Sequence, residues 1–125
     1  MLIHGREVHF SLTVGATKKI SRLCPENDIK NIGLIFEAKN TDKIIDTIAE
    51  LSAAMSEGYE KQQKYSNPAY EPNPLTQDEV LTLTISELTA LQEELMKEIG
   101  VGMEVSVEAE PEKGGKLGKK NGQIK

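Results

Sequence analysis

Two short alternating segments flank Gly5-Arg6, and mainly helical spacing follows them, so this chain is restricted to a small ribbon set on a helical body. With Gly5 and Arg6 as the two central residues of a tight turn, His4 faces Glu7, Ile3 faces Val8, Leu2 faces His9 and Met1 faces Phe10. Glycine at the first central position suits a type II′ turn, which needs a positive φ there. Side chains alternate across a strand, so Met1, Ile3, Val8, Phe10 and Leu12 share one side, while Leu2, His4, Glu7 and His9 share the other. The first side is apolar. A two-stranded ribbon is marginal alone in water, so the helices that follow are expected to cover it.

Those helices can be placed by spacing. Residues 14–23 carry Val14, Ile20 and Leu23 at roughly helical intervals, and Pro25 closes them because the residue before a proline avoids the helical region. Residues 27–37 form the next helix, with Asn27 or Asp28 as cap, a stripe of Ile29, Ile32, Ile35 and Phe36, and Gly33 weakening it. The longest helix runs over 41–64 behind Thr41 or Asp42, with Ile44, Ile45, Ile48, Leu51, Ser52 and Met55 facing the core. Beyond Met55 the sequence turns polar, and this end is expected to project into solvent or fray. Residues 66–75 hold three prolines and form an extended connection.

Two capping boxes, Thr76-x-x-Glu79 and Thr84-x-x-Glu87, then open a short helix over 77–82 and a longer one over 85–99. The second buries Ile85, Leu88, Leu91, Leu95 and Ile99, and Gly100 stops it. Val101, Met103, Val105 and Val107 alternate with Gly102, Glu104, Ser106 and Glu108. By period this is a strand, available to join the hairpin as a third strand or to pair with another chain. The fold class is therefore α+β and mostly helical: an N-terminal β-hairpin, four to five helices, an extra short C-terminal strand and a disordered tail. Residues 1–110 form one domain, and 111–125 have too little apolar content to fold.

Composition narrows the function. The 125 residues, 38% hydrophobic with only 4% aromatic and no Trp, suffice for one aliphatic core. No apolar run approaches the roughly 18 residues that span a bilayer, and no leader with a cleavage site is evident, so a cytoplasmic protein with no membrane partner is expected. Cys24, the single cysteine, reads as a small buried hydrophobe with no His nearby in sequence to activate it. The tail from Pro111 carries five lysines against Glu112, a charge of +4, which leaves −9 on residues 1–110 within the total of −5. An acidic body binds phosphate backbones poorly, so no nucleic-acid partner is expected.

Catalytic signals are thin. His4, Glu7 and His9 project from one side of the ribbon and could in principle hold a transition metal, but the better reading is a solvated polar side. Asp78-Glu79 and Glu93-Glu94 are adjacent on helices, so their carboxylates diverge, whereas acid–base catalysis needs opposed groups in a cleft. Gly114-Gly115 and Gly118 precede lysines without the strand-then-helix setting of a phosphate loop. These residues predict no enzyme, no metal, no cofactor and no small-molecule substrate. The residues to examine for partner contact are Tyr65, Tyr70, Val101, Met103, Val105 and Val107. Tyrosines in such a connection more often lie against their own domain.

Leu2-Ile-His-Gly-Arg-Glu-Val-His-Phe-Ser-Leu12 is followed by an apolar-spaced first helix that ends in a Leu. An Asp28-Ile29 helix and a Thr41-Asp42 helix rich in Ile follow, and Leu75-Thr-Gln-Asp-Glu-Val80 leads into a Leu-rich final helix. In order, length and spacing over residues 1–99, this resembles the tail assembly chaperones of long-tailed bacteriophages and prophages. The resemblance implies a non-enzymatic protein of the bacterial host cytoplasm that binds the long, helical, hydrophobic tape measure protein before the tail tube forms around it. A second copy of the chain is a further candidate partner. The alternative is a structural virion component, such as a small tail or connector protein, with the 101–107 strand as its assembly edge.

Overall fold

The computed structural model describes residues 1–108 apart from Ala38, and the surroundings of side chains as far as Gly100. It is mostly helical behind a two-stranded antiparallel hairpin. Strands β1 (Leu2–Ile3) and β2 (Arg6–Glu7) lead into helices α1 (Val14–Ser21), α2 (Ile32–Glu37), α3 (Thr41–Ser66), α4 (Gln77–Val80) and α5 (Ile85–Glu108). The expected domain end at 110 and the expected disordered tail over 111–125 lie outside the described residues.

The hairpin forms in a different register from the expected one. Leu2 pairs with Glu7 and Ile3 with Arg6, so His4 and Gly5, rather than Gly5 and Arg6, are the central residues. Both have positive φ, 50° and 83°, which makes the turn type I′ instead of II′. Histidine tolerates this conformation better than most residues, and here its ring is also held: His4 Nε2 lies 2.6 Å from Thr82 Oγ1. Thr82 gives its own hydroxyl proton to the Glu79 carbonyl at 2.7 Å, so His4 Nε2 is the donor. The partner of each residue moves by two positions, an even number, so the apolar side is unchanged. Ile3, Val8 and Phe10 are buried, with Met1 and Leu12 packed beside them.

Each helix begins where a side chain can take up free amide groups. Thr13 accepts from the Ala16 amide at the head of α1, and Asn40, one residue before the expected Thr41, accepts from Lys43 at the head of α3. The predicted 27–37 helix is broken. Glu26 and Asn27 are left-handed, a short 3₁₀ turn covers Ile29–Asn31, and α2 starts only at Ile32. Local side-chain bonds compete with the helix here: Asp28 accepts from the Lys30 amide and Asn31 Nδ2 donates to the Pro25 carbonyl. Two expected core positions, Val14 and Ile85, are 88% and 69% exposed, because each is the first residue of its helix and points away from the stripe behind it.

The expected strand over 101–107 is helix. Helix α5 continues through Gly100 and Gly102 to Glu108. Strict alternation contains the helical interval as well, since Val101 and Val105, like Met103 and Val107, are four apart. Glycine in a helix costs only about 1 kcal/mol relative to alanine, too little to end one already nucleated. The surroundings of those four side chains lie outside the description.

The core is aliphatic and central to α3. Ile48, Leu51 and Met55 of α3 meet Leu91, Leu95 and Ile99 of α5, and Ile20, Leu75 and Val80 close the sides, all at 2% exposure or less. The segment before α1 crosses α3 closely: the Ser11 amide donates to the Met55 carbonyl at 3.1 Å. Gly58 makes that possible. A Cβ there would stand 2.7 Å from Thr13 Oγ1 and 3.1 Å from the Ser11 carbonyl oxygen.

Ile48→Ala and Leu91→Ala should each lower unfolding free energy by about 2–5 kcal/mol in urea melts, with Ile85→Ala costing under about 1 kcal/mol. Gly58→Ala should destabilise by about 1–3 kcal/mol, against the usual gain from alanine in a helix. Gly33, which has open space where its Cβ would be, should instead gain about 0.5–1 kcal/mol on replacement by alanine.

Candidate functional site

Residues 67–75 can make almost no backbone ladder of their own, since Pro68, Pro72 and Pro74 lack amide protons. The far half of α3 supplies what they need. Ser56, Glu60 and Lys64 are four residues apart and share one face of the helix. Ser56 Oγ accepts from the Leu75 amide at 2.8 Å, and Glu60 Oε1 accepts from the Asn73 amide at 2.9 Å and from the Tyr70 hydroxyl at 2.7 Å. Lys64 Nζ donates to the Pro68 and Tyr70 carbonyls. The connection therefore runs back along α3 as a strap, starting from a turn in which the Tyr70 amide donates to the Asn67 carbonyl.

This corrects the expected fraying of α3 beyond Met55. Ser56 and Glu60 are 1% and 8% exposed under the strap, and the helix stays intact to Ser66, its last turns over 61–66 being largely exposed as expected. Tyr70, half-buried, is engaged within the chain, and the hydrogen bond it gives to Glu60 pushes its phenol pKa up. Tyr65 is 90% exposed. Of the six residues expected to contact a partner, Tyr65 alone is placed by its described surroundings on open surface, and the four at 101–107 lie on the distal turns of α5.

The strap ends in a clasp. Thr76 and Glu79 form a reciprocal capping box at the head of α4. The Arg6 guanidinium reaches the Asn73 carbonyl at 2.9 Å and both Glu79 carboxylate oxygens at 3.3 Å. Glu79 is held below its ordinary pKa first by the Thr76 amide and then by the Thr76 hydroxyl and Arg6. Arg6 can do this because the observed register puts it in β2 beside Ile3, not in the turn.

His4, Glu7 and His9 do not converge. His4 meets Thr82, Glu7 lies 2.6 Å from the Met1 main-chain nitrogen, and the His9 ring stacks on Tyr59 with centroids 4.7 Å apart. Cys24 is buried with its thiol on the Ile20 carbonyl, and burial raises its pKa.

Among the described residues, the open surfaces include one at the clasp and one beside α1. At the clasp, Leu81 and Ile85 are exposed on either side of Thr82, and Leu2 is exposed on β1. Between α1, α3 and the strap end lies a groove of about 300 Å³ lined by apolar Leu23, Ala53, Ala54, Pro74 and Leu75 and by polar Lys19, Glu50, Glu57 and Gln77. Glu57 is ion-paired with Lys19 and Lys61, and Lys19 chiefly lowers its pKa. No described helix is long and apolar enough to cross a membrane.

No protein-family profile, curated protein or solved structure matches this chain.

Sequence reasoning missed Arg6, Ser56 and Glu60. The signal was present for the last two: a polar i, i+4, i+8 row on a long helix, next to a segment whose prolines leave carbonyls and few amides to be matched.

Ser56→Ala strands the buried Leu75 amide and should cost about 1–3 kcal/mol in denaturant melts, against under about 0.5 kcal/mol for Thr89→Ala on the exposed face of α5. Tyr70 titrates above its ordinary value of 10.0 in the native chain, so its support of the strap is complete below that pH and is lost as pH rises through the native pKa. In a native tyrosine absorbance titration, Tyr70→Phe should remove a phenol that titrates above that ordinary value. Curves for the two proteins that superimpose after scaling would contradict the bond to Glu60.

Proposed function

We propose that this protein is a non-enzymatic chaperone that binds the tape measure protein while a long-tailed phage tail is assembled. The observation that carries the reading is an acidic helical body, −9 over residues 1–110, that leaves large apolar side chains on its surface: Leu81 and Ile85 at the clasp and Leu2 on β1. A long helix with an apolar stripe is insoluble by itself and needs aliphatic surface to lie against, while a strongly charged carrier keeps the pair in solution. The order of hairpin, Asp28-Ile29 helix, Ile-rich helix and Leu-rich final helix, which resembles tail assembly chaperones, adds the identity of the partner.

Chemistry of the described surface agrees with binding rather than turnover. Of the carboxylates with lowered pKa, Glu79 and Glu87 are engaged in capping boxes, where they accept hydrogen bonds from Thr76 and Thr84, and Glu7 and Glu57 are ion-paired with the Met1 main-chain amine and with Lys19. The task of Glu79 and Glu87 is to hold helix ends.

Co-expression with a tape measure polypeptide should raise its soluble fraction and yield a co-purifying complex, and Leu81→Asp with Ile85→Asp should abolish both while leaving the thermal melt near that of the parent. A tape measure polypeptide equally insoluble with and without this protein would refute the reading. Stoichiometric amounts of this protein in purified virions, measured by mass spectrometry, would favour a structural component instead.

A further inference from the structure

Past its first turn, the strap is tied to the body at few points. The Tyr70 amide donates to the Asn67 carbonyl at 2.9 Å and the Ala69 amide to Asn67 Oδ1 at 3.1 Å, so the turn holds itself together, and Lys64 fixes its Tyr70 carbonyl to α3. At the other end the Thr76–Glu79 capping box and buried Val80 secure the head of α4. Lys64 and Ser56, which meet Tyr70 and Leu75, are eight residues apart on α3, about 12 Å, whereas the five steps from Tyr70 to Leu75 reach about 17 Å when extended. The stretch between them is slack. It can leave α3 with both ends in place.

One side chain holds its middle. Glu60 Oε1 accepts from both the Tyr70 hydroxyl and the Asn73 amide, and the other ties are the Ser56 bond to the Leu75 amide and the Arg6 bond to the Asn73 carbonyl. Glu60 is 8% exposed and has no ion pair among the described residues, so closing the strap over it carries a desolvation cost that offsets much of what these bonds contribute. Apolar anchoring is sparse too. Leu75 is buried, whereas Glu71, Pro72 and Asn73 are exposed and Pro74 is half-buried. Segments with little buried apolar surface open at a fraction of the global unfolding free energy. Pro74 and Leu75 also line the groove, together with Leu23, Ala53 and Ala54.

We propose that residues 71–75 are a gate: they lift from α3 as a unit while α3 and α5 stay packed, with Glu60 as the catch. Each opening removes the Pro74 and Leu75 side of the groove and bares the apolar seat of Leu75 next to Ala53 and Ala54. The gate belongs to the single chain and does not rest on the chaperone reading.

Amide hydrogen exchange in the full-length chain tests it. Relative to its intrinsic rate, the Leu75 amide should exchange at least about a hundredfold faster than the amides of Leu91 and Leu95 in α5. Urea below the unfolding transition should speed Leu91 and leave Leu75 almost unchanged, because lifting five residues exposes little surface. Glu60→Ala leaves the Leu75 acceptor Ser56 untouched, yet should speed Leu75 exchange about tenfold or more, and Tyr70→Phe, which removes one of the two bonds to the catch, about threefold. Should Glu60→Ala not fold, Tyr70→Phe alone decides. Leu75 and Leu91 exchanging equally and with the same urea dependence, or a Leu75 rate indifferent to these substitutions, would overturn the proposal. Thiol labelling at Ala54→Cys by a bulky aromatic disulfide, read by mass spectrometry at that position so that Cys24 does not interfere, should quicken with Tyr70→Phe by the same factor as Leu75 exchange. A labelling rate that stays fixed while Leu75 exchange rises would also overturn it, since the strap would then move without opening the groove.

Discussion

A connection that cannot satisfy its own backbone controls how the two halves of this protein meet. Residues 67–75 have three prolines, and beyond the turn at Asn67 their amides and carbonyls find partners on other elements. Ser56, Glu60 and Lys64 provide them in register, with acceptors opposite the Leu75 and Asn73 amides and a donor opposite the Pro68 and Tyr70 carbonyls. Once those bonds form, the path of the chain is set. Leu75 enters the core at 2% exposure, and Thr76 arrives where it can cap α4.

The ribbon is fastened by the same arrangement. Arg6 bridges the strap and the first turn of α4, and His4 reaches Thr82 just beyond it. The Arg6–Glu79 pair is partly exposed and contributes modestly by itself. Its weight lies in joining the ribbon to the strap and α4, which are 67 and 73 residues away at the points of contact, each part being anchored by buried apolar residues: Ile3 and Val8 in the ribbon, Leu75 in the strap and Val80 in α4. On the opposite flank, Gly58 lets the chain before α1 lie on α3 closely enough for the Ser11 amide to reach Met55. Small residues at 53, 54 and 58 thus shape α3 in two ways, as a contact surface for its own chain and as the floor of an open groove.

Apolar periodicity was readable wherever a stripe was continuous. Ile48, Leu51 and Met55 of α3, and Leu88, Leu91, Leu95 and Ile99 of α5, are buried as their spacing requires. Both Thr-x-x-Glu boxes form, because all their atoms lie within one turn of chain. Legibility ended where a pattern fitted two periods or where a remote group cast the deciding vote. Residues 101–107 satisfy both strand alternation and the helical interval of four, and the already formed α5 simply continues through them. The hairpin turn could form at Gly5-Arg6 or His4-Gly5 from local preference alone, and contacts with Thr82, Asn73 and Glu79 accompany the second. Glu60 looked like solvent-facing polarity because its partners, Tyr70 and Asn73, are ten and thirteen residues away.

The amino-acid sequence by itself determined the helical class, the aliphatic stripes, the caps and the extended Pro-rich connection, since each follows from interactions among residues within a few positions of one another. Only the tertiary structure decided the turn residues, the burial of Ser56 and Glu60, the clasp around Arg6 and the groove beside Ala53. Those depend on which surfaces are brought together, and a hydrogen bond between segments up to seventy or more residues apart has no trace in the local pattern of either.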